Sequence, residues 1–325
     1  MPLQSSGAIS LSDIQTEFGG TNPISMSEYY RGGAYVTDNN TGVPTSGTID
    51  IGDFYGAVNQ FSYTFSSSTQ EVDLNSTLTT AGWNGSDPVV VTINSGVYLW
   101  SDSTSTGGLT VSSAFNGLLT ITNNGYIIGR GGDAGQAGGP ALVNNATGVT
   151  LTNASGAFIA GGGGGGGGRG GGGAGGGNGV GGYRESPPTY YAAGVGGAIG
   201  QNGTNGESGA YSGGSYDGAG LGGGAGGGGA GAEPRTDGYA GYGASGGGGR
   251  VLTVSTSYGQ GAFGGLGDGG TGGSNGNAGS NGTYGGGGGG WGAAGGNSGG
   301  AGGAAISGTA IATYTNNGTV YGSVA

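Results

Sequence analysis

In the stretch IAGGGGGGGGRGGGGAGGGNGVGG, residues 159–182, glycine fills 18 of the 22 positions from Gly161 to Gly182. Glycine surrenders more backbone freedom on folding than any other residue. A chain that concentrates it here either leaves the segment unfolded or builds something into which no Cβ fits. A register favours the second reading. Glycine recurs at every third position from 161 through 182, and again at 194, 197, 200, 203, 206 and 209. It holds ten consecutive triplet positions from 261 to 288, although only 17 of the 30 residues 261–290 are glycine. Asp268, Thr271, Ser274, Asn277, Ser280 and Thr283 share another frame. A flexible Gly/Ser linker has no reason to keep such a frame. A period of three belongs to polyproline-II geometry, which rises ~3.1 Å per residue and makes no internal hydrogen bonds, so buried legs must bond to neighbouring legs. Collagen uses the same spacing but wants ~15–20% proline, and 261–288 has none. The expectation is therefore a bundle of polyproline-II-type legs from one chain, with collagen and disorder as lesser readings.

Upstream, residues 59–160 read as β structure. FSYTF (61–65) alternates, and VVVTI (89–93) and GVYLW (96–100) are strand-like runs. One pattern then recurs as LTITNNGYIIG (119–129), VTLTNASGAFIAG (149–161) and ATYTNNGTVYG (312–322). Each copy is a β-branched run, an Asn-containing turn and a short apolar run ending in Gly. Asn-Gly tolerates the positive φ of a tight turn, so each copy is predicted as strand–turn–strand. The third copy returns the chain to β structure after its glycine tracts.

Residues 1–58 carry a weaker threefold repeat: GAISLSDIQTEFGG (7–20), NPISMSEYYRGG (22–33) and GTIDIGDFYGAV (47–58). Ser25 and Glu28 have capping-box spacing, and Ser10 with Asp13 and Asp50 with Asp53 are looser versions. Each copy is predicted to step from an extended segment into one or two helical turns closed by Gly. The three make either a module that packs together or docks on another protein, or a small independent helical domain. The fold class expected is mostly β and irregular, in four parts. These are a repeat module at 1–58, a β-rich domain at 59–160, a glycine-rich polyproline-II bundle with intervening loops at 161–305, and a strand–turn–strand at 306–325.

Charge and missing residue types narrow the function. The six basic residues are all Arg, against 17 acids, for a net charge of −11. Nucleic acids and anionic membranes are therefore poor partners. The absence of Cys and His removes disulfides, thiolate sites, most zinc sites and Ser-His or Cys-His catalysis. The absence of Lys removes a P-loop or a Schiff base. MPLQSSGAIS lacks the cationic region and apolar core of a signal peptide, and no apolar run approaches a membrane span. Asp133, Glu185, Glu207, Asp217, Glu233 and Asp237 are the carboxylates that could pair for glycoside cleavage, but spacing brings no two together. Neither an enzyme, a metal site nor a cofactor is expected.

Segments of another character interrupt the glycine: 182–194, 207–218, 232–243 and 250–264. Half of the 18 tyrosines fall between Tyr183 and Tyr284, and four of the six arginines between Arg169 and Arg250. Tyr and Arg are enriched at binding hot spots, and loops on a rigid scaffold are where recognition usually lives. The recognition candidates are Tyr183, Arg184, Tyr190, Tyr191, Tyr211, Tyr216, Arg235, Tyr239, Tyr242 and Tyr258. The competing reading is that these tyrosines only cover a core poor in apolar side chains.

NNGYIIGRGGDAG (123–135), GGPALVNNATGVTLTNASGAFIAGGGGGGGG (138–168) and YTNNGTVYGSV (314–324) resemble the glycine-rich receptor-recognising adhesins of tailed-bacteriophage tail fibres. MPLQSSGAISLSDIQTEFGG, echoed by SGTIDIGDFYGA, looks like a leader of phage tail and virion proteins. The resemblance implies a non-enzymatic virion adhesin, made in the host cytoplasm, whose polyproline-II bundle displays variable loops. By position these loops are 183–193, 210–217, 232–242 and 251–260. They would contact a host outer-membrane protein or surface glycan, while 1–58 would attach to a tail-fibre or baseplate protein, or the chain would form a homotrimeric fibre. The alternative is a structural baseplate or fibre-connector protein without receptor contact. A glycan depolymerase and an ice-binding protein are more distant readings.

Overall fold

The computed structural model describes residues 3–37, 40–167, 173, 176–178, 288–296 and 298–325, with the backbone of 182–185 and 188–191. From Phe61 onward the described chain winds into five coils of a three-sided parallel stack. The first coil contributes Phe61–Phe65, Thr69–Gln70 and Val72–Asp73; the second Val89–Ile93, Tyr98–Trp100 and Leu109–Val111. The third contributes Leu119–Asn123, Tyr126–Ile128 and Leu142–Asn144; the fourth Thr150–Asn153, Phe158–Ala160 and Ile306–Gly308. The last coil has Thr313–Asn316 and Thr319–Tyr321, and its third side shrinks to a bridge between Ile306 and Val324.

The repeated sequence pattern dictates this arrangement. Two strands can lie parallel only if a long connection carries the chain back to the starting edge, and here the other two sides of each coil are that connection. Corresponding residues of successive copies then fall in register. Val91, Ile121 and Leu151 stack along the first side, Leu99, Ile127 and Ile159 along the second, and Leu109, Leu142 and Ile306 along the third. All nine are fully or almost fully buried in one core, each contributing about 1.5–3 kcal/mol of apolar burial. One interior column turns polar. Asn123 Nδ2 donates to Asn153 Oδ1 at 2.9 Å, and Asn153 Nδ2 donates to Asn316 Oδ1 at 2.9 Å. Asn123 and Asn153 are buried, which is tolerated because each finds its partner one coil away, whereas Asn316 ends the column exposed.

The Asn-containing turns are corners, and each joins strands of two different sheets. Their glycines do not all serve positive φ. Gly156 has φ +82°, but Gly125 and Gly318 are glycine because a Cβ would lie 2.4 Å from Val97 O and 2.5 Å from Ala154 O. Helix Leu74–Thr80, capped by the Asp73 side chain on Ser76 N, follows the first coil and buries Leu74 and Leu78. Trp83 stacks on Phe115 beside it, with ring centroids 4.6 Å apart.

Residues 3–58 form a separate core of Ile14, Phe18, Tyr29, Val36, Val43, Phe54 and Ala57. Each sequence copy makes its helical start: Leu11–Phe18, Met26–Tyr29 and Ile51–Phe54. Each start is preceded by a capping box, Ser10/Asp13, Ser25/Glu28 and Asp50/Asp53 respectively.

The fold class expected from the glycine frame is corrected by this architecture. Stacked parallel sheets with two short α-helices organise the described residues, not a glycine-rich bundle of polyproline-II-type helices. A three-residue glycine frame reports that no Cβ fits, but it does not say which backbone lies alongside. Here the described glycine segments lean on the corner of a β stack. Most of the framed tract, including 201–287, lies outside the described residues.

Candidate functional site

The second and third sides of the coils meet at one corner, and the connection there lengthens from coil to coil. Glu71 alone spans it in the first coil, residues 101–108 in the second and 129–141 in the third. In the fourth coil it is the whole tract 161–305, 145 residues, between Ala160 and Ile306. The glycine-rich sequence thus leaves and re-enters the stack at one corner.

Three segments knit the base of that excursion. Gly162 N donates to Gly139 O at 2.9 Å, Gly303 N to Gly162 O at 2.7 Å, and Gly138 N to Ala301 O at 2.9 Å. The scheme repeats further out, with Gly165 N to Gln136 O and Gly300 N to Gly165 O, both at 2.8 Å. A Cβ on Gly162 would lie 1.9 Å from Arg130 O, which accounts for glycine at this point. Arg130 and Asp133 form an ion pair at 2.8 Å, and Asp133 Oδ1 also accepts from Asn178 N at 2.8 Å. Ala134 N donates to Asn178 O, so Asn178 is clipped twice. Four residues later the chain enters an antiparallel hairpin, Gly182–Glu185 with Pro188–Tyr191.

The return leg is also anchored. Trp291 is 4% exposed and packs with Ile128 and Ala160, against partly buried Trp100 and Tyr321. Gly292 N donates to Gly161 O beside it. Along the same face Tyr98, Tyr126, Phe158 and Tyr321 form a ladder of rings, with successive centroids 4.5, 5.6 and 6.4 Å apart. Burial, then the neighbouring Tyr126, push the Tyr98 phenol above its ordinary pKa.

Four of the ten recognition candidates lie on the hairpin. Tyr183 pairs opposite Tyr190, Gly182 opposite Tyr191, and Arg184 opposite Thr189. Segment 183–193, expected as a loop, therefore contains paired strands. Tyr211, Tyr216, Arg235, Tyr239, Tyr242 and Tyr258 lie outside the described residues, as do segments 210–217, 232–242 and 251–260. Of the carboxylates, Asp133 is bound into the base, Glu185 sits opposite Pro188 in the hairpin, and Glu207, Asp217, Glu233 and Asp237 are outside the described residues. Sequence reasoning missed the anchors Arg130, Asp133, Asn178 and Trp291. The three-residue spacing of Arg130 and Asp133 was the available signal for the first two. Among the described residues no helix is long and apolar enough to cross a membrane.

No curated protein sequence matches the chain. Among solved structures, the chain is similar to the crystal structure of the gp37–gp38 adhesin tip complex of the bacteriophage S16 long tail fibre. The TM-score is 0.41 at 20% identity, covering 86% of this chain and 88% of that one. The family model of the phage tail fibre adhesin Gp38 matches residues 60–226, from the residue before the first strand to well inside the excursion. With just over half of the chain matched, the protein belongs to the phage tail fibre adhesin Gp38 family.

Proposed function

We propose that this tail-fibre adhesin binds the host receptor through the excursion 161–305 and attaches to a tail-fibre or baseplate protein through residues 1–58. The receptor class is a host outer-membrane protein or surface glycan. The observation that carries the reading is topological: one corner of a rigid stack releases a 145-residue excursion and recaptures it beside its point of departure. Clamped ends lower the ordering cost that a long binding segment incurs on binding. Tyr183, Arg184, Tyr190, Tyr191, Tyr211, Tyr216, Arg235, Tyr239, Tyr242 and Tyr258 supply the contacts in this proposal. Glycine has no side chain to offer, whereas tyrosine presents a rigid face and a hydroxyl at low entropic cost. No catalytic step is part of the reading.

The test is competition. Purified full-length protein, added to host cells before phage, blocks adsorption in a saturable manner. A chain that leaves adsorption unchanged at saturating concentration is a fibre or baseplate spacer instead. Deleting 1–58 leaves cell binding intact and abolishes incorporation into the particle; normal incorporation of the deleted chain refutes the attachment half.

A further inference from the structure

The outward positions of the first side repeat as strictly as the buried ones. Alternation along each strand turns Val91, Ile121 and Leu151 inward and their neighbours outward. In the register of the five parallel strands, Thr64, Thr92, Thr122, Thr152 and Thr315 form one outward column. Ser62, Val90, Thr120, Thr150 and Thr313 form the other. The eight threonines are all partly or fully exposed. Among the described residues, none of their hydroxyls has a hydrogen-bond partner. No residue of these five strands carries a formal charge, on a chain whose net charge is −11.

Neighbouring strands lie about 4.7–4.9 Å apart and residues two apart along a strand about 6.6 Å, so the two columns define a rectangular net. A β-branched side chain holds its χ1, and ladders such as Asn123–Asn153–Asn316 favour a flat sheet. The net is therefore rigid as well as regular. It covers on the order of 200 Å², far below the ~800 Å² per partner of a stable protein interface. Pockets for small molecules are concave and lined mostly by apolar and aromatic groups. This face is open, and none of its outward residues is aromatic.

We infer that this threonine face binds ice. An uncharged net of hydroxyls and methyls, repeating in two directions, matches another lattice better than it matches any single molecule. The water oxygens of an ice face repeat over distances of the same size as the net. A threonine hydroxyl donates one hydrogen bond and accepts others, as water does. Its methyl fills the space beside it, so the water between the columns is held in place. Immobilising an ordered water costs up to about 2 kcal/mol, but water in ice is already immobile, so that cost does not arise at a crystal surface. The absence of charge matters equally, since an ionic side chain would order its own hydration shell across the lattice. Neither the excursion 161–305 nor residues 1–58 take part.

Nanolitre osmometry of the purified full chain on a single ice crystal tests the inference. The expected result is a freezing point held below the melting point, with a faceted crystal in the gap. Thr122→Lys and Thr152→Lys place a charge at the centre of the net and are each expected to abolish that gap. Thr80→Lys, at an exposed threonine on helix Leu74–Thr80, is expected to keep it. Circular dichroism and the melting midpoint show that all three variants retain the fold, and host adsorption is expected to be unchanged in each. Coincident freezing and melting points for the unaltered chain overturn the inference. So does a gap that survives both Thr122→Lys and Thr152→Lys, or one that Thr80→Lys also removes. Retention of the chain on hydroxyethylcellulose, lost in Thr122→Lys and without any effect on ice, overturns it in favour of a sugar-binding face.

Discussion

Substituting Gly162 by Ala strikes the base of the excursion where no atom can be added. The new Cβ would sit 1.9 Å from Arg130 O, 2.4 Å from Arg130 C and 2.8 Å from Gly131 N. All three are backbone atoms, so no side chain can swing away. Relief requires a backbone shift of about 1 Å or more, since heavy-atom contacts settle near ~3.5 Å. That shift breaks the bonds from Gly162 N to Gly139 O and from Gly303 N to Gly162 O, and strains Gly139 N to Arg130 O. Breaking a buried backbone bond so that its groups are left unsatisfied costs about 1–3 kcal/mol, and two such bonds are broken. The expected loss is about 3–5 kcal/mol, a melting midpoint lower by on the order of 10 °C for a body of this size. Gly156→Ala is the control. Its Cβ meets nothing within 4 Å, and only the positive φ of +82° opposes it, at about 1–2 kcal/mol. Scanning calorimetry and adsorption competition read both variants. If Gly162→Ala melts as close to wild type as Gly156→Ala does, the close-packed base is wrong.

Asn153→Leu leaves the amides of Asn123 and Asn316 without their ladder partner and lowers stability by about 2–4 kcal/mol in denaturant unfolding; an unchanged midpoint contradicts a structural role for the ladder. Trp291→Ala removes the side chain that pins the return leg to Ile128 and Ala160, so hydrogen exchange accelerates in 288–305 while 119–160 stays protected. Equal protection in both variants would show the anchor to be dispensable. The Asp13 carboxyl titrates below its ordinary value of 3.8 because the Ser10 side chain and then its backbone N–H donate to it. A depressed carboxylate stabilises the fold above its unfolded pKa and loses that contribution as pH falls through the folded value. The helical signal of the N-terminal repeats therefore weakens below about pH 3.8, and Asp13→Asn flattens that limb; an identical acid limb in both proteins refutes it.

Much of the stack was legible because its copies are spelled out. The run 61–65 alternates as strands do, 89–93 is a strand-like apolar run, and the copies at 119–129, 149–161 and 312–322 became successive coils. The spacing of Ser25 with Glu28 and its two looser versions all mark real helix starts. Parallel pairing was not legible, because an alternating run has the same pattern whichever way its neighbour points. The corner glycines misled for a related reason: Gly125 and Gly318 serve close approach between coils, which sequence does not separate from positive φ. The three-residue frame misled most, since it records the exclusion of Cβ and leaves the neighbouring backbone unspecified. At the site, segment 183–193 is expected as a loop by position, from the resemblance, yet Gly182–Glu185 and Pro188–Tyr191 pair as strands.

Exchanging segments 183–193 and 232–242 for those of a related adhesin tests the central claim most directly. Adsorption to a panel of hosts and the melting midpoint are measured on the same protein. The account predicts a changed host range with an unchanged midpoint, because both segments lie in sequence between the clamped ends at Ala160 and Ile306. An unchanged host range, together with loss of adsorption on altering the stack within 61–128, would contradict it.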